Sequence, residues 1–287
     1  MQVMGNIIIP GCPDGCTVQD FKDILYNDEK SQATIDKYVR SIERLSKFLE
    51  GRDITKEMLI RYRDELLKTC MAQTVNGALS AINAYLDYCG MPGMKMRLLK
   101  VQRRSFLEES RELAKEDYKR LLNASRCRKD HRLYMILLTL GSTGIRISEL
   151  RYITVEAAES GRAQIHLKGK NRTVILQKEL CGRLKMYAEK RGIKKGYIFR
   201  TRSGRPMDRS NICHDMKKLS VEAKVEPCKV FPHNLRHLFA RTFYEVEKNL
   251  AHLADVLGHS KIETTRIYIA ASASTHEKIL NKMQLII

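Results

Sequence analysis

The chain has 287 residues, enough for about two domains, and its 43% hydrophobic content excludes a disordered polymer. Its 52 Lys and Arg against 33 Asp and Glu give a net charge of +19, which suits a polyanionic partner, chiefly nucleic acid, unless the charge serves solubility alone. No run of 18 apolar residues is present, which excludes a membrane-spanning helix and a membrane partner.

The opening MQVMGNIIIPGCPDGC has no basic stretch ahead of its short apolar run, so it does not read as a secretory signal. A short helix is expected around Val18–Leu25. A second spans 31–50, where Ile35, Tyr38, Val39, Ile42, Leu45, Phe48 and Leu49 make a helical stripe, with Ser31 or Thr34 to cap it. A third follows Thr55, with Leu59, Tyr62 and Leu66 on one face. A fourth follows Thr74 and stops at Gly90. These stripes need a shared core, so residues 15–97 read as one small helical bundle.

Residues 98–112 form a basic stretch, with Lys100, Arg103 and Arg104, just after the breaker Met91-Pro92-Gly93. They read as an interdomain linker, either solvated or laid across a phosphate backbone. The second domain spans 113–287. Helices are expected at 115–125, 131–142, 178–191, 209–223, 233–246, 249–257 and 276–285. Ala163–Leu167 and Thr173–Leu176 read as strands, with KGKNR (168–172) as the hairpin turn between them. Residues 197–200 are a candidate third strand. The eight cysteines are scattered, and only Cys12 and Cys16 lie close together, with no matching pair nearby. No zinc site is expected, and free thiols suit a reducing cytoplasm.

The chemistry-bearing residues lie in five strings of the second half, TGIRISEL (143–150), HLKGKNRTVIL (166–176), HNLRH (233–237), LGHS (257–260) and TTRIYIA (264–270). Arg146 follows a glycine that can end a helix, and its guanidinium can fork onto two phosphate oxygens. The plain alternative is a surface ion pair with Glu149. Lys168 opens the basic hairpin turn, which could otherwise be merely solvated. His233 and Arg236 are three apart at a helix entry marked by Pro232, on a face that favours an anion. His237 points about 100° from Arg236 on a helix and is read as structural. His259 follows Gly258, where a helix end would throw it outward. Tyr268 could be a core residue between Ile267 and Ile269. Beside arginines, a lysine and histidines it can instead be a nucleophile.

The order and wording of these strings resemble the tyrosine recombinase (phage integrase) family over roughly residues 15–287. The resemblance implies a mainly α fold with a small antiparallel β-sheet. An N-terminal helical, SAM-like core-binding domain (15–97) would precede an α+β catalytic domain (113–287). It implies that Tyr268 attacks the scissile phosphate of double-stranded DNA, forming a 3′-phosphotyrosyl bond without ATP, cofactor or metal. Arg146 and Arg236 would bind the oxygens, with Glu149 supporting Arg146. His233 would be the base, His259 a donor, and Lys168 the acid for the leaving 5′-oxygen, with Lys170 as its rival because the turn is compact. The working form implied is a homotetramer on DNA, with or without accessory proteins. The apolar tail 276–287 needs a pocket, its own or a neighbour's. Two other readings remain: a type IB topoisomerase, with the same chemistry and no strand exchange, and a non-catalytic DNA-binding protein of this fold.

Overall fold

The structure is a computed structural model that describes residues 7–13, 15–101, 111–128, 131–167 and 170–269. The chain divides into two compact units, Met1–Arg103 and Arg104–Ile287.

The first unit is built on four helices: α1 (Val18–Asn27), α2 (Gln32–Leu49), α3 (Lys56–Thr69) and α4 (Ala72–Tyr88). The stripes expected for them are the buried faces, with Phe21, Ile42, Leu45, Leu79, Ile82 and Tyr85 in the core. Each such side chain contributes about 1.5–3 kcal/mol on full burial. Thr17 and Thr55 accept the backbone N–H of Asp20 and Met58, so both start their helices by side-chain capping. Ser31 stands at the start of α2, but its hydroxyl pairs with Thr34 Oγ1 (2.9 Å) rather than with the backbone. α4 begins at Ala72, ahead of Thr74. Met71 takes the extended cap conformation with no capping side chain, so the helix starts ahead of the polar residue expected to open it.

Both ends of the expected linker, 98–112, are held by hydrogen bonds, and its residues 102–110 lie outside the described residues. Asn83 exchanges two hydrogen bonds with the backbone of Met96, and Asn76 does the same with Leu99. Met96 and Leu99 are thereby tied to α4. At the other end, Arg241 pairs with Glu112 and donates to the Leu113 carbonyl, and Asn234 donates to that of Arg111, so residues 111–113 belong to the second unit. Side-chain amides that mimic backbone pairing leave no breaker signal in the sequence.

In the second unit α5 (Lys115–Arg126) and α6 (Arg132–Thr143) lie close to the expected bounds. α6 is central and packs against α5, α8, α9 and α10. After Gly144 a 3-10 segment, Ile147–Tyr152, leads into α7 (Val155–Ser160). The strands β1 (Arg162–Leu167) and β2 (Lys170–Ile175) pair antiparallel with Leu167 opposite Lys170. Lys170, Asn171 and Arg172 are therefore strand, not turn, because the register closes the hairpin over two residues. Those two, 168 and 169, carry Lys168 and lie outside the described residues. Residues 197–200 add no strand. Tyr197 bridges Thr154, and Arg200 bridges Pro206, so this segment pairs beside the 3-10 turn and with its own loop instead of joining the sheet.

α8 (Lys178–Lys190), α9 (Arg209–Glu222), α10 (Pro232–Val246) and α11 (Leu250–Leu257) match expectation. α12 (Ile262–Ile269), which carries Tyr268, was not foreseen. The helix expected at 276–285 and the tail 276–287 fall outside the described residues. The fold is mainly α with one two-stranded antiparallel sheet among the described residues. No described helix is long and apolar enough to cross a membrane.

Candidate active site

Two glycine corners carry Arg146 and His259. α6 ends at Gly144 in the left-handed region (φ +63°), and the Phe239 ring of α10 packs so closely there that a Cβ would overlap it. Only glycine meets both demands. The chain then turns sharply into Arg146. α11 ends the same way at Gly258 (φ +66°), which releases His259. A Cβ at Gly258 would overlap the Arg172 side chain.

Arg146 keeps its side chain 42% exposed. Its Nη1 donates to Glu149 Oε1 (3.0 Å), and its backbone N–H donates to Oε2 (2.7 Å). Both sequence readings of Arg146 are compatible with this geometry: it is paired with Glu149, and its outer face is open. Glu149 is 2% exposed and also accepts Arg172 Nη2 (2.6 Å). Burial opposes ionisation of this carboxyl, but the Arg146 backbone N–H and the Arg172 and Arg146 charges outweigh it, leaving its pKa lowered.

Arg236 sits in the first turns of α10 and is 1% exposed. It donates to the carbonyls of Gly144 (2.6 Å) and Leu257 (2.8 Å), and to His259 Nε2 (2.7 Å). These bonds join the last carbonyls of α6 and α11, which lack partners inside their own helices. Its Nε–H has no partner among the described residues. A guanidinium has five N–H donors, so Nε and one Nη1 hydrogen are not used by these three bonds, and the Tyr268 side chain lies within hydrogen-bonding reach of the group. Burial, then the nearby Arg146 charge, brings its pKa down to about 10, so it is still cationic at neutral pH.

His259 accepts from Arg236 through Nε2, so its proton sits on Nδ1 and is donated to Thr265 Oγ1 (2.8 Å). Thr265 is fully buried on α12. Burial, then Arg236 and the other arginines, lowers the His259 pKa to about 4, so the ring is neutral. In this arrangement it offers no N–H to a phosphate. It becomes a donor there only when a ligand draws Arg236 Nη2 away or the ring is protonated.

Tyr268 is 5% exposed, and it packs with Ala240, Leu253 and Leu257 in a small apolar cluster. Its ring stacks on His259 (centroids 5.4 Å, planes 17° apart) and lies 5.9 Å from the Arg236 guanidinium carbon. Its hydroxyl is 3.4 Å from His233 Nε2. Desolvation of the inner side of His233, then Arg236, Arg146 and Arg209, lowers its pKa, which suits a neutral acceptor for the tyrosine proton.

His237 has the structural place expected of it. Four residues from His233, it lies on the same helix face. Its ring touches Tyr268 (centroids 4.3 Å) and meets His233 edge-on (4.8 Å). Burial lowers its pKa to about 3, so it acts as a polar aromatic wall.

Arg146, His233, Arg236, His259 and Tyr268 thus gather around one corner, and Lys168 lies outside the described residues. No group of His, Cys, Asp or Glu among the described residues could hold a metal ion.

Residues 111–275 match the phage integrase family, and residues 18–89 match the N-terminal SAM-like domain of phage integrases. The chain is 29% identical to the tyrosine recombinase XerA of Thermococcus kodakarensis, covering 94% of this chain and 95% of that protein. It is 24% identical to the TnP I resolvase of Bacillus thuringiensis, covering 93% and 99%. Among solved structures it resembles the XerH site-specific recombinase bound to its difH substrate (TM-score 0.70, 17% identity, 92% of this chain and 84% of that one). It also resembles a lambda integrase tetramer bound to a Holliday junction (TM-score 0.70, 16% identity, 88% and 75%). With a family match across more than half its length, the chain belongs to the phage integrase family and is a tyrosine-type site-specific recombinase.

Proposed function

We propose that this chain cleaves and rejoins double-stranded DNA through a 3′-phosphotyrosyl bond on Tyr268. The observation that carries this reading is the Tyr268 hydroxyl at 3.4 Å from His233 Nε2, beside the buried Arg236. In the forward step the tyrosine oxygen bonds to phosphorus and the bond to the 5′-oxygen breaks. The phenolic proton passes to His233 Nε2, and the leaving oxygen takes a proton from Lys168, or from its rival Lys170. Arg146 and the remaining donors of Arg236 stabilise charge on the non-bridging oxygens as it develops. A 5′-hydroxyl from a second strand then reverses the step. The ester conserves the bond energy, so no ATP is consumed, and fixed guanidinium charges do what a metal does in other phosphoryl-transfer sites.

Double-stranded DNA is the partner that suits a net charge of +19. The bundle, residues 15–97, is read as a DNA-gripping domain and 113–287 as the catalytic one. Exchanging two duplexes takes four tyrosines, so the working assembly is read as a homotetramer on DNA, with accessory proteins where site choice demands them. The place of action is the cytoplasm, on the nucleoid. The test is a nicked suicide duplex built on the host sequence that the chain protects from nuclease. In excess EDTA it should trap a covalent adduct whose peptide maps to Tyr268. A requirement for a divalent ion, or attachment elsewhere, overturns the reading.

A further inference from the structure

Arg162, Lys168, Lys170 and Arg172 read in sequence as one basic turn, yet the structure sets Arg172 apart. It sits on β2 opposite Ile165. Its side chain is only 15% exposed. Nη2 donates to Glu149 Oε2 (2.6 Å) and Nη1 to the Val256 carbonyl (2.5 Å), while the stem lies over Gly258. A guanidinium meant for the DNA backbone would stay in water, because burying it costs several kcal/mol unless good bonds offset the loss. Here the two bonds run to the 3-10 segment and to the last turn of α11, and only Nε is left without a partner among the described residues.

We infer that Arg172 is a positioning residue that locks the hairpin strand, the Arg146 turn and the His259 corner into one register. Glu149 is the middle link. Its Oε1 serves the Arg146 side chain, and its Oε2 is shared between the Arg146 N–H and Arg172. Without Arg172 this buried carboxylate keeps only Arg146, so it must turn further toward that side chain or take up a proton. Either change moves or releases Arg146. At the other contact, the last turn of α11 loses the bond that seats it beside the hairpin, and His259 stands three residues beyond Val256. Arg172 touches no reacting atom. The inference rests on Arg146 being a phosphate ligand.

The groups that face Glu149 are Arg146 on its own turn and Arg172 on β2, with Arg236 of α10 and His259 beyond them in the same cluster. Both near charges favour the ionised carboxylate. Removing Arg172 therefore raises the Glu149 pKa, and the acid limb of the cleavage profile moves to higher pH.

The experiment uses the full chain and the nicked suicide duplex described above. Arg172→Gln should slow single-turnover cleavage about 10- to 100-fold, below the scale for losing a transition-state donor, with DNA affinity unchanged and the melting temperature lowered, because a buried carboxylate loses a partner. Its acid limb should move up in pH, whereas that of Arg162→Gln, which removes an exposed charge from the same hairpin, should stay put. Arg172→Lys should recover part of the rate, since one ammonium reaches only one of the two partners. Combining Arg172→Gln with Glu149→Gln should cost no more than the worse single change, because both break one chain of contacts. A substrate with sulfur at the bridging 5′ position should not rescue Arg172→Gln. Wild-type cleavage in Arg172→Gln, additive losses with Glu149→Gln, or rescue by sulfur overturns the inference; the last would move the defect to Lys168. If Arg172→Gln is unfolded at the assay temperature, Arg172→Lys decides: an unmoved acid limb at wild-type rate overturns it equally. If the wild-type chain forms no adduct, the site reading fails instead.

Discussion

In the N-terminal bundle, Ile42, Leu45, Leu79 and Ile82 are buried against other apolar side chains. In the corner around Tyr268, Arg236, Glu149 and Thr265 are buried as deeply, and each is held by named hydrogen bonds. The first region gains stability from apolar area and tolerates swaps that keep volume. The second spends stability on desolvated charge, and its bonds hold groups where a phosphate would meet them. The same degree of burial therefore means different things, and substitutions should separate them.

The largest effect should come from a single oxygen. Tyr268→Phe keeps the ring against His237, His259 and the apolar cluster, so folding and DNA affinity should hold. Covalent adduct should vanish on the suicide duplex. An adduct that survives would show that this corner is packing only, and would dissolve the contrast.

Next come the two arginines, which differ in burial. Arg236→Ala and Arg146→Ala should each lower cleavage by about 10²–10³-fold, the scale for losing one transition-state donor. Only Arg236→Ala should also lower the melting temperature, because it strips the Gly144 and Leu257 carbonyls of their partner and each lost bond costs about 0.5–1.5 kcal/mol. Arg146, with an open outer face, should lose activity and little stability. Equal melting shifts would show that exposure does not separate their roles.

How much of this was legible follows the same divide. Hydrophobic periodicity marked α1–α4 and most later helices, because apolar burial repeats along a helix. The five motif strings marked the corner through their resemblance, as an ordered set, to the tyrosine recombinase family, since each string alone also fits a surface or core residue. Arg172 was hidden, since a buried ion pair and a solvated lysine turn look alike in one dimension. That His237 packs on Tyr268 was not visible either, because the contact joins α10 to α12. α12 was missed because TTRIYIA has a strand-like composition, and only packing on α10 and α11 makes it helical.

A smaller effect concerns pH. His237 and His259 have folded pKa values of about 3 and about 4, and His233 is also lowered from 6.5. The unfolded chain thus binds more protons than the folded one between about 6.5 and about 3. Stability from these neutral rings is complete above that window and is lost as pH falls through it. Cleavage should stay level from pH 8 down to pH 7 and fall below that as His233 and then Glu149 take up protons. Replacing His237 by Phe should reduce the acid loss of stability, read from melting temperatures at stepped pH. A cleavage limb centred at or above 6.5 would mean that His233 is not held neutral by its surroundings.

The smallest effect on chemistry should come from the bundle, and it is the sharpest test of the comparison. Leu79 lies fully buried on α4. Leu79→Ala removes apolar volume and leaves a void, at a cost of about 2–5 kcal/mol. No hydrogen bond depends on this side chain, and the Tyr268 corner belongs to the other unit. At a temperature where the variant is folded, single-turnover cleavage by DNA-saturated protein should match the wild type in rate and pH profile. The loss should appear only in the melting curve, or as weaker DNA binding if the bundle softens. A shifted acid limb in Leu79→Ala would show that packing in the bundle sets the protonation of the corner, and the two kinds of burial would no longer be separable.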